Sequence, residues 1–331
     1  MTARIVDGND PAAIEEAAAI LRAGGLCAFP TETVYGLGAL ALDEHAVRRI
    51  FAAKGRPASH PLIVHVLDSD GAEPLCASWP PAATELTARF WPGPLTLVLP
   101  RAGIVPDVVT GGGHTVAVRA PRHPVARALL AAVGAPLAAP SANRYQQLSP
   151  TTAAHVAASL GDEVALILDG GPCSAGIEST VLDLASQPPR VLRPGAVSLS
   201  SLRTILPDLI VADATPEPDA PHPSPGLDPR HYAPRARLVV VERPALHPAL
   251  HAALRTAPGR TGLVLRAPLG GDRDGSAVPT ELLPDDPDGY AHGLYAALHR
   301  LDDLCSLILV ESVPDGEAWL AVSDRLRRAG S

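Results

Sequence analysis

The segment LCAFPTETVYGLG, Leu26 to Gly38, is the part of the chain that decides its fold. Its first four residues are apolar, which is typical of a short buried strand, and Pro30 ends that run. Three hydroxyl side chains and one carboxylate follow, and then two glycines that allow a close approach of the backbone. The segment predicts either a polar site at a strand end or a simple junction between a strand and a turn.

Helices are predicted on both sides of this segment from the spacing of apolar residues. Asp10 and Pro11 supply an N-cap and a first-turn proline, and an apolar face continues to Gly24. A second helix is predicted from about Asp43 to just before Gly55. Further strands are predicted at 62–66, 95–99, 115–119, 137–139, 165–168, 179–184 and 190–192, and further helices at 125–133 and 153–160.

The order of these elements predicts the fold class α/β (mixed α+β) and more than one domain. Strands outnumber helices and do not alternate with them, which favours a mixed sheet covered by helices. Proline then recurs every few residues, which is typical of an extended connection, and beyond it strands and helices alternate. We expect a catalytic domain at 1–205, a proline-rich linker at 206–236 and a small three-layer α/β domain at 237–331.

Length and composition exclude several classes of protein. With 331 residues, the chain exceeds the roughly 250 to 300 residues at which single cores stop growing. No apolar run approaches the ~20 residues that cross a bilayer, and no signal-peptide pattern is present, so we expect a cytoplasmic protein. The four cysteines are widely spaced and are expected to be free thiols. A net charge of −8 argues against tight non-specific binding of nucleic acid.

The run KGRPASHPLIVH, residues 54–65, concentrates cationic side chains around a predicted strand. Lys54 is the single lysine among 27 basic residues, which indicates a position that needs a compact, flexible charge. A lysine and the planar fork of Arg56 together suit a polyphosphate. The alternative is that both cations complement the dipole at the end of a helix.

Other polar segments are ambiguous when each is taken alone. Arg119 ends the predicted strand TVAVR, where it could bind a carboxylate or lie in solvent. The segments APSAN, IEST and RPG contain residues that often serve only to form turns. Neither common nucleotide-binding fingerprint, G-x-x-x-x-G-K-[ST] or G-x-G-x-x-G, is present.

Taken in order, the motifs resemble those of the threonylcarbamoyl-AMP synthases in their long, two-domain form. The resemblance implies a YrdC-like twisted mixed sheet with helices, followed by a small Rossmann-like C-terminal domain. It covers about residues 28–234, and the motifs that carry it are PTETVYGLG, KGRPASHPLIVH, FWPGPLTLVL, VAVRAPRHP, APSAN, GIESTVLD, VLRPGAVS and SPGLDPRHYAP.

The resemblance also implies a reaction. L-Threonine, bicarbonate or CO2, and ATP would give L-threonylcarbamoyl-adenylate and pyrophosphate, which makes the protein a nucleotidyltransferase. Mg²⁺ would accompany ATP and be held mainly by phosphates and water, with no protein metal site. Other proteins would transfer the threonylcarbamoyl group to an adenosine of tRNA, and tRNA itself is a possible partner; no membrane is involved.

The resemblance assigns roles to individual residues. The residues expected to bind L-threonine are Thr33, His65, Arg119, Ala139 through its backbone, and Ser179. The residues expected to bind ATP are Arg56, His60, Thr115, Ser141, Ser149 and Arg193, with Lys54 beside the phosphates and Tyr232 folding back from the linker as part of a lid. Lys54 and Arg56 are the expected catalytic residues. His60 stands where asparagine is more usual, and it would make nucleotide affinity depend on pH near its pKa.

Three alternatives remain open at this stage. A YrdC-like module that binds RNA or the ribosome without turning over ATP is favoured by clustered arginines, but opposed by the net charge and by an aromatic content of 3%. A carbamoyl-handling enzyme would be longer and would carry zinc-finger-like cysteines. Hydrolysis by Cys173 with His65 is supported by residue type only.

Overall fold

The computed structural model describes residues 3–212, 231–256, 260–269 and 278–330. The chain forms two compact units, of which the first comprises residues 1–145 and 149–227, and the second comprises 146–148 and 228–331. Residues 213–230 of the predicted linker lie outside the described residues, so its extended conformation stays a prediction.

The first unit contains the following elements among its described residues. Its strands are β1 (Arg4–Asp7), β2 (Cys27–Phe29), β3 (Gly36–Leu40), β4 (Ile63–His65), β5 (Leu95–Pro100), β6 (Thr115–Arg119), β7 (Leu137–Ala138), β8 (Leu166–Asp169), β9 (Thr180–Asp183), β10 (Arg190–Arg193) and β11 (Ile210–Val211). Its α-helices are α1 (Pro11–Arg22), α2 (Glu44–Lys54), α3 (Ser69–Ala72), α4 (Pro81–Phe90), α5 (Asp107–Thr110), α6 (Pro124–Val133), α7 (Ala153–Leu160) and α8 (Leu199–Arg203).

These strands form one mixed sheet. Across the described part of the unit the order is β1-β8-β2-β3-β7-β4-β6-β5-β9-β10-β11. Strands β4 and β6 run parallel, whereas β5 and β6 run antiparallel. Helices α1 and α6 cover one region of the sheet, where Leu21 and Leu129 pack with Phe29 and Leu168 in a single core. The mixed α/β fold predicted from the element order is confirmed.

The two N-terminal helices begin and end where their sequence signals predict. The Asp10 side chain accepts a hydrogen bond from the backbone N–H of Ala12, and Pro11 occupies the first turn. Asp43 caps α2 in the same way, and Gly55 ends it in the left-handed region at φ 63°. The α2 helix therefore delivers Lys54 at its last residue.

Strand β3 is the main element of this unit that the sequence patterning did not predict. The residues GLGAL are almost wholly buried and show no alternation of polar and apolar side chains. Gly38 pairs with Cys27, and a Cβ at Gly38 would lie 2.8 Å from the ring of Phe29. Glycine is needed here because the Phe29 ring occupies the space of a side chain, and the strand therefore lacks the β-branched residues that usually reveal one. Helix α4 was also not predicted.

The second unit is a parallel sheet covered by helices. Its elements are β12 (Arg237–Val241), α9 (Leu246–Thr256), β13 (Thr261–Leu265), β14 (Thr280–Leu282), α10 (Pro287–Asp302), β15 (Leu307–Glu311) and α11 (Leu320–Ala329), and the strand order is β12-β15-β13-β14. Leu246 and Leu250 of α9 pack on Leu263 and Leu309 of the sheet. The predicted alternation of strands and helices is confirmed, although β14 was not predicted.

The structure also bears on two predictions from the sequence, that the cysteines are free thiols and that no segment crosses a membrane. All four cysteines are free. Within the described ranges, no helix has the length and apolar character needed to cross a membrane.

Gly195 marks a close approach of two backbones in the first unit. A Cβ at this position would lie 2.4 Å from the Glu178 carbonyl oxygen, the Ser179 carbonyl carbon and the Thr180 amide nitrogen. Gly195→Ala is therefore expected to lower the free energy of unfolding by about 1–3 kcal/mol, because backbone cannot move aside as a flexible side chain can. Urea unfolding followed by circular dichroism measures this.

Gly103→Ala is the matched control for that substitution. A Cβ at Gly103 would meet no atom within 4 Å, and the residue has an ordinary φ. The control is expected to leave stability within about 0.5 kcal/mol of the original chain. Equal stability of the two variants would contradict the close approach at Gly195.

Helix α11 holds a buried charged cluster in the second unit. Asp324 accepts hydrogen bonds from Arg325 at 2.6 Å, Arg327 at 2.8 Å and Arg328 at 3.0 Å. Burial alone would raise the pKa of Asp324, but the charges of Arg325 and Arg328 outweigh it and lower that pKa below its ordinary value of 3.8. The carboxylate therefore stabilises the folded state in its charged form.

Asp324→Asn is expected to cost about 3 kcal/mol of unfolding free energy at pH 7, because it removes the buried negative charge that Arg325 and Arg328 face. Since the folded pKa is depressed, this contribution is fully present above about pH 5 and is lost as pH falls through the folded pKa. Unfolding of variant and original chain at pH 7 and pH 3 tests both statements. The exposed Asp303, which pairs with Arg235 at 2.7 Å, provides the control Asp303→Asn, expected to cost less than about 1 kcal/mol.

Candidate active site

Arg119 is the last residue of β6 and lies buried at the edge of the mixed sheet. Its Nη2 pairs with Oε1 of Glu32 at 2.7 Å, and its Nη1 donates to Oγ1 of Thr33 at 2.9 Å. Its Nε donates to the carbonyl oxygen of Gly93 at 3.3 Å. We call Arg119, its three partners Glu32, Thr33 and Gly93, and His65 the Arg119 cluster. His65 is included because it is the register partner of Arg119 on β4.

The loop that carries Glu32 and Thr33 is held by the hydroxyl of Thr31. This hydroxyl donates to the carbonyl oxygen of Val34 at 2.7 Å and accepts from the backbone N–H groups of Thr33 and Val34. Its oxygen also lies 2.8 Å from Oγ1 of Thr33. Such hydrogen bonds from a side chain to the nearby backbone fix the conformation of the loop, so the hydroxyl-rich sequence forms an ordered polar loop at the end of β2.

The Arg119 cluster keeps a charged carboxylate and a neutral imidazole side by side. Burial opposes the charge on Glu32, but the charge and hydrogen bond of Arg119 and the backbone N–H of Arg122 lower its pKa. Burial, and then the charge of Arg119, lower the pKa of His65 to about 3. His65 is therefore a neutral hydrogen-bonding group at physiological pH, and its Nδ1 meets no partner among the described residues.

A second group of polar side chains lies beside this cluster, on β5, on β10 and just before β9. The Thr96 hydroxyl is 2.8 Å from that of Ser179, and Arg193 Nη2 donates to the Ser179 carbonyl oxygen at 3.0 Å. Thr96 directly precedes Leu97, which pairs with Val118 in the antiparallel register, so Thr96 neighbours Arg119 across the sheet. Ser179 and Arg119 therefore lie on the same edge.

Ser149 joins this group through Glu178. The Ser149 hydroxyl donates to Oε1 of Glu178 at 2.6 Å, and both residues are buried. Glu178 directly precedes Ser179, so the hydroxyl of Ser149 is held against the same segment. Of the residues assigned to ATP, Ser149 and Arg193 thus lie near those assigned to L-threonine.

Lys54 is buried at the end of α2 and reaches two backbone carbonyls. Its Nζ donates to the Ser141 carbonyl oxygen at 2.5 Å and also to that of Asn143. Burial, and then the charge of Arg56, lower the pKa of Lys54 well below its usual value. The lone lysine therefore holds the APSAN segment in place, which the sequence did not predict.

Arg56 and His60 surround a tyrosine. The guanidinium carbon of Arg56 lies 5.9 Å from the ring centroid of Tyr145, and Nδ1 of His60 lies 3.3 Å from the Tyr145 hydroxyl oxygen. Arg56 Nη2 also donates to the carbonyl oxygen of Pro61 at 3.2 Å. Tyr145 in turn donates its backbone N–H to the Lys54 carbonyl oxygen at 2.8 Å, which links it to the lysine.

The register of the sheet sets the distance between the two ends of the site. His65 pairs with Arg119, and Ile63 pairs with Ala117, so Thr115 and the His60 turn lie toward the opposite end of the same two strands. Four residues of strand span ~13 Å. Between the ends, the Ala139 backbone N–H donates to the Ile63 carbonyl oxygen at 2.9 Å. Of the predicted site residues, His65, Thr115 and Arg119 therefore lie along the strands β4 and β6.

Tyr232 lies in the second unit, and its described contacts are there. Its ring lies 4.9 Å from the Arg325 guanidinium carbon and 6.1 Å from the Tyr295 ring centroid. Its φ of 59° is unusual for a residue other than glycine. A role for Tyr232 over a nucleotide stays a prediction, and residues 224–230 of its motif lie outside the described residues.

Several residues of the site were not predicted from the sequence. Glu32 is one polar residue among the hydroxyls of its motif, Glu178 lies in the ambiguous segment IEST, and no sequence pattern pointed to Thr96 or Tyr145. A carboxylate between buried threonines was the available signal for Glu32, since charged residues are almost never buried without a partner. Tyr145 could have been found as one of five tyrosines, two residues after APSAN.

One alternative from the sequence is opposed by the structure. Burial raises the pKa of the Cys173 thiol to about 12, so Cys173 is not an activated nucleophile, and the imidazole of His65 is a weak base. Separately, no group of three or more histidine, cysteine, aspartate or glutamate side chains able to hold a metal ion occurs among the described residues.

Family models cover nearly the whole chain. A Sua5/YciO/YrdC model described as telomere recombination matches residues 19–195. A second model, described as the C-terminal domain of threonylcarbamoyl-AMP synthase, matches residues 197–331. The two matches follow one another along the chain in the order that the resemblance implied.

Individual relatives agree with the family models. The threonylcarbamoyl-AMP synthase of Pyrococcus abyssi is 42% identical over 96% of this chain and 93% of its own length. That of Bacillus subtilis is 41% identical over 97% of this chain and 93% of its own length. The crystal structure of Pyrococcus abyssi Sua5 complexed with L-threonine is 41% identical and covers 100% of this chain and 98% of its own, with a TM-score of 0.91.

This structural match confirms the expected YrdC-like mixed sheet and the Rossmann-like C-terminal domain. Full-length similarity to named synthases also confirms that the chain is an enzyme of the nucleotidyltransferase type. The chain therefore belongs to the threonylcarbamoyl-AMP synthase family, in its long form with both the YrdC-type domain and the C-terminal domain.

Proposed function

We propose that the chain joins L-threonine, bicarbonate or CO2, and ATP to form L-threonylcarbamoyl-adenylate, with release of pyrophosphate. The observation that carries the proposal is the buried Arg119 cluster at one end of β4 and β6, with cationic residues at the other end of the same strands. The named relatives, and the L-threonine complex of the Pyrococcus abyssi protein, support the same reaction.

The Arg119 cluster suits the carboxylate of an amino acid. A guanidinium has five N–H groups, and Thr33 and Gly93 accept hydrogen bonds from two of those of Arg119. Glu32 lies 2.7 Å from Nη2 as an ion pair, but Nη2 has no hydrogen-bond acceptor in the described part of the chain, so N–H groups on both terminal nitrogens remain available. A planar pair of donors is the geometry that a carboxylate accepts. Ser179, the hydroxyl of Thr33 and the Ala139 backbone are proposed to complete the pocket.

The neutral state of His65 suits the amine of the substrate. Carboxylation requires the free amine, whose nitrogen lone pair attacks the carbon of CO2 to give a carbamate, while its proton passes to solvent or base. A neutral imidazole can accept a hydrogen bond from that amine without repelling it, whereas an imidazolium would oppose the binding of an ammonium group. We therefore propose that His65 orients the amine and does not carry a charge.

The opposite end of the strands suits the nucleotide. A carbamate oxygen attacks the α-phosphorus of ATP, the new P–O bond forms, and the bond to pyrophosphate breaks. Positioning and neutralisation of charge dominate such a step. We propose that Arg56, His60, Thr115 and Ser141 bind ATP at this end, and that Ser149 and Arg193 bind it from beside the L-threonine pocket. Lys54 and Arg56 are proposed as the catalytic cations and Tyr232 as a further nucleotide contact.

Mg²⁺ is proposed to enter with ATP. Mg²⁺ is commonly held by phosphate oxygens and water, and it neutralises the charge of the phosphates. The proposal assigns the ion no protein ligand, because the Ser141 carbonyl beside the proposed nucleotide already accepts a hydrogen bond from Lys54.

The product implies a place in tRNA modification. A carbamoyl-adenylate is a mixed anhydride with an AMP leaving group, so a separate transfer protein would pass its threonylcarbamoyl group to an adenosine of tRNA. We propose such transfer proteins as partners, tRNA as a further possible partner, and the cytoplasm as the location. A module that binds RNA without ATP turnover remains the competing function, although the net charge of −8 opposes it.

The reaction is tested by measuring pyrophosphate release while each substrate is omitted in turn. Release is expected with L-threonine, bicarbonate, ATP and Mg²⁺ together, and it should fall to background when either L-threonine or bicarbonate is absent. Release that ignores L-threonine would contradict the proposal. Binding of tRNA without any pyrophosphate release would support the competing RNA-binding function.

Lys54→Met is expected to reduce turnover on the order of 10²-fold or more, since it removes a buried cation and frees the Ser141–Asn143 segment that the ammonium holds. Pyrophosphate release at saturating substrates measures this effect. Arg22→Met is the matched control, because Arg22 is also a cation at the last residue of a helix but is about half exposed. Near-normal turnover of the Lys54 variant would leave the lysine without a catalytic role.

A further inference from the structure

Glu32 is a buried carboxylate to which the proposed reaction assigns no role. It is 2% exposed, and each of its oxygens has its own partner. Oε1 pairs with Nη2 of Arg119 at 2.7 Å, and Oε2 accepts from the backbone N–H of Arg122 at 3.0 Å. One carboxylate thus binds both the end of β6 and the turn that follows it.

The pairing explains how a charge persists in this place. Burying a lone carboxylate is costly enough that the group would take up a proton instead. The adjacent guanidinium reverses this outcome, because its charge and hydrogen bond lower the pKa of Glu32 despite burial. Both side chains are at most 4% exposed, so solvent does little to weaken their attraction.

The direction of the guanidinium depends on this pair. The other two acceptors of Arg119, the Gly93 carbonyl and the Thr33 hydroxyl, are neutral. The Glu32 carboxylate is charged, and its attraction to Nη2 at 2.7 Å acts where solvent weakens it little. Glu32 therefore adds a charged constraint on the Arg119 guanidinium to these two neutral ones.

We propose that Glu32 is a positioning residue for the amino-acid substrate. It holds one edge of the Arg119 guanidinium, so that the remaining N–H groups present themselves to the substrate carboxylate, and it anchors the turn at Arg122 behind them. This inference rests on the proposed function, in which Arg119 binds the carboxylate of L-threonine. Glu32 itself does not touch the substrate.

The experiment measures L-threonine binding to the full chain by calorimetry. Glu32→Gln should weaken binding about 10- to 100-fold, because the amide cannot supply two acceptor oxygens to Arg119 and Arg122. Binding of ATP should change less than twofold. The shorter carboxylate in Glu32→Asp keeps the charge and should restore part of the affinity.

L-Threoninamide separates positioning from general damage. It lacks the carboxylate charge, so it should bind the original chain weakly and bind Glu32→Gln with the same weak affinity. A carboxylate that only stabilised the fold would instead weaken L-threonine and its amide by the same factor. That result would overturn the proposal.

Glu311→Gln is the matched control. Glu311 is a fully buried glutamate of the second unit, and it pairs with Arg243 at 2.9 Å and Arg266 at 3.0 Å. The substitution makes the same change in a similar environment and should leave L-threonine affinity within twofold of the original. A loss equal to that of Glu32→Gln would count against a specific role for Glu32.

A double-mutant cycle with Arg119→Ala completes the test. If Glu32 acts through Arg119, Glu32→Gln should cause no further loss of L-threonine affinity once Arg119 is absent. Additive losses would overturn the inference. Unchanged or tighter L-threonine binding by Glu32→Gln would overturn this inference but not the proposed function. If the original chain did not bind L-threonine at all, both the proposed function and this inference would be overturned.

Discussion

The site depends on the burial of one guanidinium, that of Arg119, at the C-terminal end of a strand inside the sheet. Arg119 loses almost all of its water, and a charge in that position is tolerated only because Glu32, Thr33 and Gly93 replace the lost hydration. These acceptors come from two distant segments, which β5, β6 and the PTET loop bring together. The fold of the first unit therefore has to place all three before the arginine can be buried.

The same constraint explains the state of the neighbouring side chains. Once Arg119 carries its charge, a second cation beside it is disfavoured, and the pKa of His65 falls to about 3. A charged carboxylate is favoured, and the pKa of Glu32 falls as well. The cluster thus offers a fixed set of donors and one neutral acceptor, which suits a small zwitterion better than a simple anion.

Lys54 occupies a special position, as its rarity predicted, but the partners that explain this position were not predicted. Its rarity in an arginine-rich chain indicated a special position, and the structure places it, buried, against the carbonyls of Ser141 and Asn143. A single ammonium with rotatable donors can serve two nearby carbonyls from the end of a helix, whereas a planar guanidinium is larger and more rigid. The need for a compact cation was predicted, but its backbone partners were not.

The sequence by itself determined the helices α1 and α2, the strand β6 and the mixed character of the sheet, because caps, prolines and apolar spacing act over a few residues. Its ordered motifs also determined the family. Only the tertiary structure decided that GLGAL is a strand, since the Phe29 ring that requires Gly38 comes from the neighbouring strand. Only the tertiary structure joined Glu32 to Arg119, because a charge pair between residues so far apart along the chain depends on the register of strands and leaves no local pattern.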